Sequence, residues 1–374
     1  MDVLEMANPI EQYFCQKATI TKTPIGATFE LSPLCNMDCR MCYVRMSPEE
    51  LSKQGRLRTA EEWLNYAEHA RSAGLLFLLL TGGEPFLYPE FEKLYTELHK
   101  MGLVLSINTN GTMLNREKVQ WLAKQPPRKL NITIYGGSDE TYQKLCGNPR
   151  GFTQLMNALE LCRDYGIAVK LNYTVTRENV GDLQNVFSIA KRMDLPITVA
   201  YYVFPANRRT VDNGASRLTP AEAAEVRIAA ERYELGEEHF REKCRVLLDL
   251  EAGKIEMEKP PHDTAFTCRA GSSTDWINWR GEVLLCGMTD AVRFDLDHLG
   301  FPACWEKLKE AAQEISCPEK CADCRHETAC ARCAAASIAE TSCYEGTPEY
   351  LCELYECYLS RLREIVKEKE TEER

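Results

Sequence analysis

From Gly26 onward the chain alternates short, β-rich apolar stretches with segments whose apolar residues recur every three or four positions. The first kind predicts strands at 27–31, 75–80, 103–108, 129–134, 169–175 and 197–204. The second predicts helices at 59–73, 91–101, 116–124, 152–165 and 180–193. Gly74, Gly102 and Gly166 stand where three of these helices must stop, and Thr59 with Glu62 has the spacing of a capping box. Six strands alternating with helices predict an α/β fold with a parallel sheet and right-handed crossovers, in which ligands gather at the carboxyl ends of the strands. The loops after the strands are where chemistry is to be sought.

The pattern changes after Phe204. Residues 205–217 are polar and read as a connector; 219–250 then reads as a helix, with Pro220 in its first turn and Glu222 three residues after Thr219. Beyond Pro260 the chain is rich in cysteine and short in regular pattern, and it closes with a helix from about 348 to 369. Neither an internal repeat nor a low-complexity segment is visible, so two modules are expected: a βα sheet, then a cysteine-rich appendage.

Composition narrows the class. With 374 residues, 44% hydrophobic and 27% charged, the chain can bury a substantial core and is neither disordered nor a disulfide knot. Its longest apolar run, 75–80, is far below the ~20 residues that span a bilayer, and residues 1–22 lack the layout of a secretory signal, so a cytoplasmic protein without membrane contact is expected. A net charge of -11 argues against nucleic acid as a main partner. Cysteine is the outlier: of 18, three lie within 35–42 and eleven within 268–357, while Cys15, Cys146, Cys162 and Cys244 are scattered. In a reducing compartment grouped thiols point to metal or catalysis, and scattered ones to small buried apolar residues.

Cys35, Cys39 and Cys42 form C-x3-C-x2-C directly after the first strand. Three thiolates are one short of the four that usually hold a four-iron cluster, which would leave one iron open; a zinc knuckle is the plainer alternative. The string Cys35-Asn-Met-Asp-Cys39-Arg-Met-Cys42-Tyr43 resembles the signature of the radical S-adenosylmethionine (radical SAM) superfamily. The next strand ends in Thr81-Gly82-Gly83-Glu84-Pro85, similar to the family's GGEP motif, and the one after in Asn108-Thr109-Asn110-Gly111-Thr112, similar to its TNGT segment. The three agree in order and position at successive strand ends.

The resemblance implies a six-stranded (βα)6 partial TIM barrel over residues 25–205, after an extension at 1–24. It implies a [4Fe-4S] cluster on Cys35, Cys39 and Cys42 whose open iron binds S-adenosyl-L-methionine (SAM), with reductive cleavage to a 5′-deoxyadenosyl radical that abstracts a substrate hydrogen. Cofactor-binding roles fall to Tyr43, Gly82, Gly83, Glu84, Pro85, Asn108, Asn110 and Thr133. Gly82 and Gly83 lack a Cβ, so backbone can approach a ligand closely there, although a tight turn uses glycines equally well. The fourth strand departs from the family: Thr133-Ile134-Tyr135-Gly136 stands where relatives often have Ser-Ile-Asp-Gly, so Thr133 keeps a hydroxyl for SAM's carboxylate while Tyr135 replaces an acid.

The second group, Cys268-x12-Gly281-x4-Cys286 followed by Cys321-x2-Cys324-x5-Cys330-x2-Cys333 and Cys352, resembles the SPASM extension that carries auxiliary clusters in a subset of the family, with one residue fewer between the last pair of the run. Carried over, Cys321, Cys324, Cys330 and Cys352 hold one [4Fe-4S] cluster, and Cys268, Cys286 and Cys333 hold another. His262, Cys304, Cys317, Cys343 and Cys357 are further candidates for the latter, and a zinc ribbon is the competing account. The expected boundaries are a helical connector at 206–260, a SPASM-like domain at 261–360 and a charged helix end at 361–374.

The resemblance implies modification of a peptide or protein side chain by crosslinking, epimerisation or oxidation. It also implies an electron donor such as flavodoxin or ferredoxin. About 25 residues before the first strand are too few for a leader-recognition module of roughly 80, so a separate peptide-recognition protein is an expected partner. Asp290 and Asp275 are candidate proton acceptors, Cys146 a candidate reactive thiol, and Arg150 a candidate anion contact. Two alternatives stay open: action on a small molecule such as a tetrapyrrole, and a non-catalytic iron-sulfur or zinc protein.

Overall fold

The computed structural model describes residues 9–205, 213–255 and 265–372, apart from 323, 325, 327–329 and 331. Strands β1 (Gly26–Glu30), β2 (Phe77–Thr81), β3 (Val104–Thr109), β4 (Lys129–Thr133), β5 (Val169–Thr174) and β6 (Ile197–Ala200) run parallel, each hydrogen-bonded to the next. The α/β partial barrel expected from the alternation is thus present. β6 ends at Ala200, short of the expected 204.

Alternation along the strands builds two faces. Ala27, Phe29, Leu78, Leu80, Ile107, Leu130, Ile132 and Leu171 are buried in one continuous apolar core. The opposite positions carry Thr28, Glu30, Ser106, Asn131, Lys170 and Asn172, which are also buried. A polar face hidden from solvent is a lining for ligand rather than a surface. The helices form largely where expected. The Thr59–Glu62 and Thr219–Glu222 capping boxes are both made, and Gly74, Gly102 and Gly166 have φ of 123°, 80° and 66°, where a side chain would be strained.

The cysteine-rich part is more regular than its pattern suggests. Strand β7 (Thr274–Ile277) pairs parallel with β1, and β8 (Glu282–Cys286) and β9 (Thr289–Asp295) continue antiparallel, giving one nine-stranded sheet in the order β6-β5-β4-β3-β2-β1-β7-β8-β9. The expected appendage therefore shares the barrel's sheet. Helix Phe301–Glu314 packs on β8 and β9. Helices Pro9–Thr21 and Asp139–Cys146, also absent from the sequence reading, complete this part of the fold.

The long helix Pro220–Glu251 breaks at Gly236 (φ 73°, ψ 163°) and packs against the helix Glu349–Glu372 through Phe240, Cys244, Tyr358, Leu359 and Leu362. Cys15, Cys162 and Cys244 are buried among apolar neighbours, as scattered cysteines were expected to be. Among the described residues no helix is long and apolar enough to cross a membrane.

Candidate active site at the carboxyl ends of β1 to β4

The loop after β1 carries Cys35, Cys39 and Cys42, and the loops after β2 and β3 close onto it. Gly83 N donates to Ser32 O at 2.7 Å and Glu84 N to Leu34 O at 2.8 Å. A Cβ on Gly82 would lie 2.4 Å from Ser32 O, and one on Gly83 would lie 2.3 Å from Leu34 O. The paired glycines thus admit the backbone that leads into Cys35. The close approach expected there is to protein.

Glu84 is fully buried, and its carboxylate accepts from Thr109 Oγ1 at 2.9 and 3.0 Å, Asn110 N at 2.9 Å and Phe86 N at 3.2 Å. Burial pushes its pKa up to about 7. Its acceptors are spent on the neighbouring loop, so Glu84 ties the β2 loop to the β3 loop instead of facing a cofactor, and Pro85 is buried at the start of the 3-10 turn Pro85–Leu87. Asn110 Nδ2 in turn donates to Asn36 Oδ1 at 2.8 Å and reaches Cys35 Sγ at 3.8 Å, while Asn36 Nδ2 donates to Thr112 Oγ1 at 2.9 Å. Asn36 is a site residue that the motifs alone did not single out.

Cys35 Sγ also accepts from Met37 N at 3.4 Å, and Cys42 Sγ accepts from Val44 N at 3.5 Å and Arg45 N at 3.3 Å. Burial raises the Cys35 thiol to about 12. A sulfur that receives N–H donors yet resists losing its proton is deprotonated readily only by a cation at the sulfur, so this donor set fits a bound metal cluster. Cys39 is buried, with Asp38 N donating to Cys146 O at 2.9 Å and Arg40 N to Leu145 O at 3.0 Å on either side of it. Cys146 is fully buried behind it, which removes it from the reach of a substrate and corrects its reading as a reactive thiol.

Tyr43 is half-buried immediately after Cys42. Asn108 Oδ1 is taken by Asn131 Nδ2 at 2.8 Å. Thr133 sits in register with Asn172 of β5, whose buried Oδ1 has no hydrogen-bond partner among the described residues. An orphaned acceptor beside a hydroxyl on the polar lining is what a ligand carrying an ammonium or hydroxyl group would satisfy, so the residues present fit SAM. Asn172 escaped the sequence reading; its signal was a polar residue at an alternate position of an otherwise apolar strand.

The later cysteines fall into the two expected groups. Cys286, at the end of β8, lies in electrostatic range of Cys333 and Cys268, and burial raises it to about 11. Cys321 lies in range of Cys317, Cys352, Cys330 and Cys324, and burial raises it to about 12; Cys330 lies in range of Cys352 and Cys324. Cys317, Cys321, Cys330, Cys333 and Cys352 line one cavity. Cys304 is buried in the apolar core, and Cys343 is exposed beside Glu345. Among the described residues no three His, Cys, Asp or Glu side chains converge tightly as a single-ion site would.

The candidate acids fare differently. Asp290 is paired with Arg293 Nη1 at 3.2 Å on β9. Asp275 is buried on β7 with neither oxygen hydrogen-bonded among the described residues, and burial raises it to about 8. Arg150 is exposed at the start of helix Gly151–Asp164, and His262 lies outside the described residues.

A parallel partial barrel with three cysteines in its β1 loop, braced by glycine and asparagine loops from β2 and β3, defines a class that the family comparison states independently. Residues 29–190 match the model of the radical SAM superfamily, and this part of the chain belongs to that family. The chain is 26% identical over 344 residues to the AdoMet-dependent heme synthase of Methanosarcina barkeri, covering 87% of this chain and 95% of that protein. It is 24% identical to the sporulation killing factor maturation protein SkfB of Bacillus subtilis, covering 79% and 69%. The crystal structure of Streptococcus suis SuiB bound to the precursor peptide SuiA shares the fold, with a TM-score of 0.68 at 16% identity over 92% of this chain and 81% of that one.

Proposed function

We propose that this protein is a radical SAM enzyme that modifies a peptide or protein side chain. The observation that carries the reading is the closure of the β2 and β3 loops onto the cysteine loop, through Gly83 on Ser32 and Asn110 on Asn36 and Cys35. A [4Fe-4S] cluster on Cys35, Cys39 and Cys42 would supply an open iron for SAM and the electron that generates the 5′-deoxyadenosyl radical.

This chain's own residues do the placing. The Gly82–Gly83 backbone holds the cysteine loop, Glu84 fixes the β3 loop, and Asn110 presents an amide to Cys35. Thr133 and Asn172 offer a hydroxyl and an unfilled acceptor on the buried lining, where water is excluded from the reacting atoms. Cys321, Cys324, Cys330 and Cys352, and separately Cys268, Cys286 and Cys333, would hold auxiliary clusters that pass on the substrate's surplus electron. The donor is a small redox protein such as flavodoxin or ferredoxin.

The peptide assignment draws support from relatives named for peptide maturation, SkfB among them. A second reading, action on a tetrapyrrole, is favoured by one observation: the relative spanning nearly its whole length with this chain is a heme synthase. Anaerobic holoenzyme with reductant and SAM, given peptides encoded beside its gene or an iron tetrapyrrole, separates them. A SAM-dependent mass change in a peptide is expected. A change in the tetrapyrrole alone overturns the substrate class, and absence of 5′-deoxyadenosine overturns the enzyme reading.

A further inference from the structure

The three sulfurs of the β1 loop are not equivalently supported. Cys35 and Cys42 accept backbone N–H groups from Met37, Val44 and Arg45. Cys39 takes its partners from side chains instead: the Tyr135 hydroxyl donates to it, and its thiol is hydrogen-bonded to that of Cys146. We infer that Tyr135 and Cys146 are positioning residues that donate hydrogen bonds to the Cys39 sulfur and thereby raise the reduction potential of the cluster it would hold. The inference rests on the radical SAM reading of this site and adds two residues to it.

The geometry makes both donors rigid. Tyr135 is fixed at both ends of its peptide unit, its N–H donating to Tyr142 Oη at 3.1 Å and its carbonyl accepting from Asn179 Nδ2 at 3.0 Å. Its ring packs edge-on against Tyr142 at 5.6 Å. The turn that follows is pinned by Asp182, which accepts from Gly137 N at 2.7 Å and Thr141 Oγ1 at 2.6 Å. Cys146 ends the helix Asp139–Cys146, whose last carbonyls bind Asp38 N and Arg40 N on either side of Cys39. Cys39 and Cys146 thus meet across a seam with two backbone hydrogen bonds, and a displacement of one sulfur from the other would break them.

The chemistry follows from proton count. In the metal-free chain Cys39 still has its own proton to share with Cys146. When Cys39 binds iron that proton leaves, and the hydrogen remaining between the two sulfurs is the one on Cys146. With the phenol of Tyr135, two donors then face one buried cluster sulfur. Hydrogen bonds to cluster sulfurs stabilise the more negative, reduced state, and burial strengthens them. The tyrosine that stands where relatives often have an acid therefore brings a proton donor to this sulfur and no additional negative charge.

The test uses full-length holoenzyme prepared without air, with Tyr135→Phe, Cys146→Ala and Cys146→Ser. The SAM-binding cluster is isolated by the change that SAM causes in its paramagnetic resonance signal, and its midpoint potential is titrated. Tyr135→Phe and Cys146→Ala should keep wild-type iron content and shift the midpoint to more negative values. SAM cleavage should fall several-fold with a weak reductant and recover with a strong one, and Cys146→Ser, which retains a donor, should return toward wild type. A midpoint unchanged in Tyr135→Phe at full iron content overturns the inference, whatever Cys146→Ala does to folding. Failure of the underlying reading looks different: the wild-type signal would not respond to SAM at all.

Discussion

Trp276 donates its indole N–H to the Glu30 carboxylate at 3.0 Å, joining β7 of the cysteine-rich part to the end of β1 just before the cysteine loop. On its other side the Trp276 ring lies against Gly287, where an added Cβ would come within 2.7 Å of the ring. Gly287 follows Cys286 directly, so one side chain connects the barrel's polar lining to a candidate auxiliary-cluster ligand.

Trp276→Phe keeps the ring and removes the donor from the buried Glu30. It should lower stability by about 1–3 kcal/mol, read as a lower denaturant midpoint with an unchanged slope. A midpoint equal to wild type would show that the bond contributes nothing to the junction.

Gly83→Ala puts a methyl group 2.3 Å from Leu34 O and 2.8 Å from Pro33 O, both backbone atoms. Because backbone cannot rotate away, the cysteine loop must shift. Stability should fall by about 1–3 kcal/mol, and production of 5′-deoxyadenosine by more than about tenfold, the loss expected when reacting groups are displaced. Retention of wild-type turnover would mean that the loop moves without consequence for the site.

Asp275 offers a stability-against-pH test. Its pKa is raised from 3.8 in a model peptide to about 8 by burial. The folded chain therefore retains a proton that the unfolded chain has released, and the stability this confers is full below about pH 4 and lost as pH rises through about 8. Asp275→Asn should flatten that decline and leave the variant more stable than wild type above pH 8 by roughly 3 kcal/mol. Chemical unfolding of both proteins at pH 5, 7 and 9 checks it; parallel profiles would count against an unpartnered carboxyl.

Cys333→Ala and Cys352→Ala address the two later groups separately. Each should remove about four iron atoms per chain while leaving the SAM-responsive signal intact, and the two variants should lose different paramagnetic components. Loss of the same component in both would merge the groups into one site.

Local signals were faithful where the physics is local. Thr59 and Glu62, three residues apart, make their capping box without help from the rest of the chain, as do Thr219 and Glu222. The glycine pair and the Asn108–Thr112 segment were legible because they sit at strand ends, and strand ends follow from periodicity. Glu84 was misread as cofactor-facing, since a motif gives a residue's address and not the direction of its side chain. The pairing of β7 with β1 joins Gly26 to Thr274, a separation at which no local pattern can signal a partner.

By itself the amino-acid order determined the strand and helix rhythm of the barrel, the loops that carry the chemistry and the grouping of its thiols, because periodicity, capping and cysteine spacing act over a few residues. Tertiary structure alone decided that the cysteine-rich part extends the barrel's sheet, that Asn172 leaves an acceptor unfilled on the polar lining, and that Tyr135 and Cys146 converge on Cys39. Those relationships depend on which buried surfaces meet, and contacts between distant segments exist only once the chain has closed on itself.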